Sequence, residues 1–283
     1  MWKRSLRDAV VRFHVGNLRV FGLMDRSVME EVARRWRLPL ESEGTNLLGE
    51  YMAGTAMRGS FFKGEERVKV ISKTPTIQEL YVEAMAVGKV RGKATYTDLS
   101  RAGSPEIAGS MHISKVLYGA AKPYNTSIEA SGVPEVDWQR FFDVSEQVSA
   151  IVRIDSVATN DDTGICGVIV QRMPPTMSDE RQYDLEISQM KTITDILEYL
   201  NALIPGAEIT DKNCKSVPLD YYCRCSKGTF RQHLRNIGTT TLKQIAADVG
   251  NAGVELTCNI CNYTHHLAAV ELEDLINSLS DSQ

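Results

Sequence analysis

Two stretches decide how this chain reads: YYCRCSKGTF at residues 221–230 and TCNICNYTHH at residues 257–266. They hold Cys223, Cys225, Cys258 and Cys261, four of the six cysteines, spaced as C-x-C, thirty-two residues, C-x-x-C. Two close pairs brought together by a helical excursion suit one tetrahedral Zn²⁺ per chain in the thiol form, a borderline-soft ion that takes sulfur at about 2.3 Å. Four protein ligands leave no position for water, which argues against Lewis-acid hydrolysis. His265 and His266 lie near enough to enter a ligand set, yet they read more simply as alternating positions of a strand. Structural zinc is worth on the order of 10–16 kcal/mol of apparent binding, comparable to the whole stability of a small domain. Loss of the ion would therefore unfold the unit that holds it.

A permanent staple is the plain alternative. The short Cys223-Arg224-Cys225 loop shifts the balance, because it offers its sulfurs fewer backbone N–H donors than a C-x-x-C knuckle and leaves more nucleophilic thiolates. Oxidation through sulfenic acid to disulfides would remove the donors, release the ion and melt the domain together. A metal site of this kind becomes a switch.

Working outward, residues 218–283 read as a small domain with helices near residues 229–237 and 241–249, a VELTC strand and a helix near residues 270–279. About 65 residues with few aromatics make a thin core, the kind that needs a staple. Residues 177–217 read as a helical linker. Leu185, Ile193, Ile196, Leu197, Leu200, Leu203 and Ile204 recur at helical spacing before Pro205 and Gly206, and residues 178–220 carry nine acidic side chains against four basic ones. The prolines of MPPTM (173–177) mark the boundary with the first domain, residues 1–176.

That domain reads as α+β and sheet-rich, with a few packed helices. VVRFHV and LRVFGL form a hairpin at Gly16 and Asn17, Asp25 caps a helix through DRSVMEEVARRW, and residues 45–62 suit a helix buried on most sides. Strands follow at ERVKVIS, ELYVEAMA, VRGKATY, SMHISKVLY and NTSIEA, then a helix over residues 135–149 and a closing pair, AIVRIDSV and GICGVIVQRM.

Composition narrows the function. At 283 residues with 24% charged and 43% hydrophobic side chains, the chain is an ordinary globular protein, and its net charge of -4 gives no general attraction to nucleic acid. No apolar run reaches membrane-spanning length and the N-terminus lacks a secretory signal, so a cytoplasmic protein is expected; Lys3, Arg4, Arg7 and Arg12 leave an organelle matrix such as the mitochondrion open, although Asp8 interrupts that pattern. No Walker-type phosphate loop is present, and CNIC lacks the βαβ setting of a disulfide oxidoreductase, so no enzyme is expected. Cys166, in GICGVIV, reads as a buried small hydrophobe, and Cys214 as a linker thiol with some claim to reactivity.

CRCS, thirty-two residues, then CNIC resembles the C-terminal switch of the redox-regulated 33 kDa heat-shock chaperone family. FKGEERVKV (62–70), GKVRG (88–92), KPYNTSIEASG (122–132) and FFDVSEQVSA (141–150) are similar to that family's motifs in the same order, over roughly residues 10–280. The resemblance implies an ATP-independent holdase, inactive when reduced and zinc-bound, and active when oxidation opens the cysteine domain and linker to unfolding client proteins. It also implies a dimerising, client-binding first domain, four zinc ligands at Cys223, Cys225, Cys258 and Cys261, and disulfides Cys223–Cys225 and Cys258–Cys261 on oxidation. Ile260, Asn262 and His265 depart from the family's usual aromatic, Gly and Tyr. Asn tolerates the left-handed backbone that Gly would supply, so the turn should survive. The competing reading is a constitutive zinc ribbon binding RNA or DNA through Arg224, Lys227, Arg231 and Arg235 with Tyr221, Tyr222 and Phe230.

Overall fold

A computed structural model describes residues 8–101, 108–159, 162–173, 183–210 and 213–280. Lys3, Arg4 and Arg7 of the basic N-terminal run and Pro174 and Pro175 of the expected boundary lie outside the described residues. The chain forms two compact units, Met1–Tyr222 and Cys223–Gln283.

Alternating sequence builds most of the first unit. β1 (Ala9–Val15) and β2 (Leu18–Asp25) pair antiparallel, with Val15 opposite Leu18. Gly16, at φ 55, takes the first turn position, where a type II′ hairpin wants glycine. β8 (Ala150–Thr159), β9 (Asp162–Arg172) and β10 (Lys215–Pro218) complete a five-stranded sheet in the order β10-β1-β2-β9-β8. The second sheet contains β3 (Arg67–Lys73), β4 (Ile77–Met85), β5 (Lys89–Tyr96), β6 (Gly109–Val116), β7 (Tyr124–Ala130) and β11 (Asp220–Tyr221), in the order β11-β5-β4-β3-β6-β7.

Helices fill the space between. α1 (Ser27–Trp36) begins where Asp25 accepts the Val28 N–H at 3.1 Å and Asp8 accepts those of Arg26 and Ser27. α2 (Glu43–Gly59), capped by Ser42, is buried along nearly its whole length and shares one apolar core with both sheets. It passes so close to Trp138 that a Cβ on Gly54 would stand 2.1 Å from the indole nitrogen, so only glycine fits. The helix expected over residues 135–149 is shorter and changes pitch: α3 (Pro134–Arg140) runs into a π-helical turn, Phe141–Glu146. The wider turn buries Phe141 and Phe142 together against Trp138 and lets Glu146 meet Arg58 at 2.6 Å and Lys115 at 2.7 Å.

The described part of the linker belongs to this first unit. Tyr183, Leu185 and Ile187 lie in extended chain, and α4 (Ile193–Leu203) starts only at Thr192, where a capping box with Asp195 fixes the first turn. The apolar face of α4 packs on the five-stranded sheet over Val11, Val20, Val168 and Cys166. The fit at β2 is tight: a Cβ on Gly22 would stand 2.7 Å from Ile196 Cγ2. On the other side Asp184, Glu186, Glu198 and Glu208 face solvent. The first unit runs through Tyr222, since β10 is laddered to β1, with Pro218 opposite Ala9, and β11 to β5.

The second unit contains α5 (Lys227–Arg235), α6 (Thr239–Val249), β12 (Val254–Thr257), β13 (Thr264–Leu267) and α7 (Ala269–Ser280). Its core is small, built on Leu242, Leu267, Leu272, Leu275 and Ile276. The architecture is α+β, and no helix among the described residues is long and apolar enough to cross a membrane.

Candidate metal centre

Two local structures carry the cysteines. Cys223 and Cys225 stand on the segment that leads into α5, whose start is fixed by Ser226 accepting the Thr229 N–H at 3.1 Å. Cys258 and Cys261 stand in the turn joining β12 to β13. There the Cys258 N–H donates to Tyr263 O and the Asn262 N–H to Cys258 O, both at 2.9 Å. Asn262 has φ 55, the left-handed conformation expected of it.

The turn and the segment bring the four sulfurs within 4.8 Å of one another. Cys223 Sγ and Cys258 Sγ are 3.8 Å apart, and Cys225 Sγ and Cys261 Sγ 3.4 Å. A tetrahedron with metal–sulfur bonds of ~2.3 Å has edges of about 3.8 Å, so the donor set fits one tetrahedral ion. Burial first, and then the neighbouring thiols, push the Cys225 thiol well above its ordinary range; burial does the same to Cys261, opposed by the Tyr263 backbone N–H. A divalent cation would supply the charge that lets all four ionise together. Cys258 and Cys261 are buried while Cys223 and Cys225 are half-buried, so the C-x-C pair is the more accessible side of the centre.

A family model described as Hsp33 protein matches residues 8–268. The chain belongs to the Hsp33 family. Among its relatives are the 33 kDa chaperonin of Streptococcus agalactiae, 27% identical over 255 residues covering 83% of this chain and 87% of that protein. The 33 kDa chaperonin of a Geobacillus species is 25% identical over 283 residues, 92% and 93% of the two chains. The crystal structure of the 33 kDa chaperonin of Thermotoga maritima, a heat shock protein 33 homologue, superimposes with a TM-score of 0.79 at 20% identity over 97% of this chain and 99% of that one, and shows that the fold is shared. Hsp33 proteins are chaperones and not enzymes, which sets the class of function here.

Within this Hsp33 chain, the two histidines expected at alternating strand positions do alternate, and one of them stands beside the sulfurs. The strand expected at YTHHL is present as β13, but His265 shares its parity with buried Leu267 and turns inward, placing Nε2 3.3 Å from Cys225 Sγ and its ring 5.3 Å from that of Phe230. His266 points the other way and donates to Ala252 O at 2.9 Å. Counting by two back from Leu267 is the signal that finds His265. Cys166 is fully buried under α4, where burial pushes its thiol up, and Cys214 is buried in the same apolar layer, so neither joins the cluster. The aromatic and basic residues of the ribbon reading are divided. Tyr221 and Tyr222 belong to the first unit, their rings under Arg35 at 4.7 Å and Lys89 at 4.0 Å, while Lys227 pairs with Glu271 at 3.1 Å.

Proposed function

We propose that this Hsp33 chain is a redox-regulated, ATP-independent holdase. In the thiol form Cys223, Cys225, Cys258 and Cys261 hold one Zn²⁺, which supplies the positive charge and the tetrahedral crosslink that residues 223–280 need to stay folded. The observation that carries this reading is the convergence of four sulfurs within 4.8 Å inside a unit whose apolar cluster buries five side chains among the described residues and leaves the rest half-exposed.

An oxidant such as hypochlorite takes two electrons from each pair of thiolates. One equivalent converts two thiolates to a disulfide and leaves as chloride and hydroxide, so two equivalents give Cys223–Cys225 and Cys258–Cys261. Disulfide sulfur is a poor ligand, the ion leaves, and the unit loses its crosslink. Cys223 and Cys225, half-buried, meet the oxidant first. Residues 183–210 and 213–221, which lead into the cysteine unit, then lose their hold on the two sheets, and the apolar residues of sheet and linker bind unfolding client proteins. The active form is a dimer through residues 1–176, in the cytoplasm.

The test follows metal release with a metallochromic dye while measuring how well the protein suppresses aggregation of a denatured client, with and without hypochlorite or warm peroxide. Release and protection should rise together. Equal protection by both forms overturns the redox switch, and protection by neither overturns the holdase.

A further inference from the structure

The segment between the linker helix and the first cysteine is held by backbone pairing as well as by the side chains of Leu219 and Tyr221. β10 lies antiparallel on β1 and β11 parallel on β5, so residues 215–221 cover part of one edge of each sheet, Ala9–Arg12 of β1 and Lys89 and Val90 of β5. The links are main-chain ones: the Leu219 N–H donates to Asp8 O, that of Asp220 to Gly88 O and that of Tyr222 to Val90 O, each at 3.0 Å. Lys215, Ser216, Pro218 and Asp220 are exposed, and Leu219, 7% exposed, is the segment's buried anchor. The approach is close enough that a Cβ on Gly88 would stand 2.0 Å from Pro218 O. Below this cover, β1 is a full-length strand laddered on its other side to β2, and β5 likewise to β4. Uncovered, each presents a row of unpaired N–H and C=O groups, a template for another strand.

We propose that these two edges are a docking surface for extended main chain of an unfolding protein, which adds as a strand where residues 215–221 lie here. The inference rests on the holdase reading, since the cover must leave first. The occupant is argued from what the edges already accept, an extended segment paired through its backbone, with Leu219 and Tyr221 turned to the core and Lys215, Ser216, Pro218 and Asp220 turned to solvent. Main-chain pairing is indifferent to sequence, which suits clients that share only the loss of their fold. Residue 222 is bonded to Cys223, so disorder in the cysteine unit frays the cover from its own end.

Residue-level hydrogen exchange on the full chain tests this, with reduced, carboxymethylated α-lactalbumin as a permanently unfolded probe. Edge amides of β1 and β5 should exchange at least tenfold faster after hypochlorite treatment and slow again at least tenfold when the probe co-elutes. Edge amides that stay slow after oxidation, or that stay fast with the probe bound, overturn the docking edge; in the second case the holdase reading survives. Failure of the probe to co-elute with either form overturns both. Leu219→Asp loosens the cover without oxidation: the reduced, metal-loaded variant should retain the probe where the reduced parent does not, and edges freed in this way that still do not capture it overturn the proposal.

Discussion

The first unit buries Trp138, Tyr51, Phe13, Phe21, Phe141 and Phe142 almost completely and spreads its apolar core over two sheets and the helices between them. The second surrounds five aliphatic side chains with α5, which buries none, α6, which buries Leu242, and α7, and then gathers four sulfurs. Apolar burial at roughly 25 cal/mol per Å² can carry the first unit without help, whereas a core of five residues is close to the limit at which chain entropy wins. The contrast teaches where a switch can be placed. Chemistry acting on a few atoms reorganises a fold only where those atoms hold most of its stability, and the proposed function places that condition beside the cysteines.

The sharpest way to break the comparison is to remove the ion. Chelation, or Cys261→Ser, should remove on the order of 10 kcal/mol from residues 223–280 and abolish their helical signal, while the thermal transition of the first unit persists. Proteolysis confined to the tail is the expected pattern, and a tail that remains protease-resistant without metal refutes the contrast. Trp138→Ala reverses the roles: it should cost the first unit about 3–5 kcal/mol and leave metal affinity untouched. Gly22→Val should cost about 1–3 kcal/mol by overpacking against Ile196, and should speed exchange in α4 without releasing the ion.

The smallest effect concerns pH. Burial first, and then Asp8, raise the Asp25 carboxyl to about 8 from its usual 3.8, so the stabilisation it allows is complete below pH ~4 and is lost as pH rises through ~8. Asp25→Asn keeps an oxygen for the Val28 N–H and carries no charge. Its stability advantage over the parent should therefore grow between those limits to at least about 1 kcal/mol at pH 8, measured by denaturant unfolding of the first unit. A pH-independent difference would show that Asp25 does not titrate there.

How much of this was legible in the sequence depended on which atoms do the bonding. Side-chain alternation and helical spacing reveal the β1–β2 hairpin, the buried α2 and the elements of the tail, and cysteine spacing points to the cluster. Leu185 was read into the helical period yet lies outside any helix, because the capping box at Thr192 fixes the helix start more firmly than periodicity does. The π-helical turn after Arg140 answers to tertiary packing of Phe141 and Phe142, which no local pattern announces. β10 and β11 went unread altogether: KSVP and DY, at four and two residues, are too short to show an alternation.

The proline in β10 carries a further consequence. Because Leu219 donates to Asp8, alternation along an antiparallel ladder puts Pro218, opposite Ala9, at a position where no amide hydrogen is required. Slipping by one residue would aim the proline ring at a carbonyl of β1 and leave that carbonyl unanswered. The proline thus excludes the neighbouring register, the one that would also turn Leu219 out of the core and its exposed neighbours in.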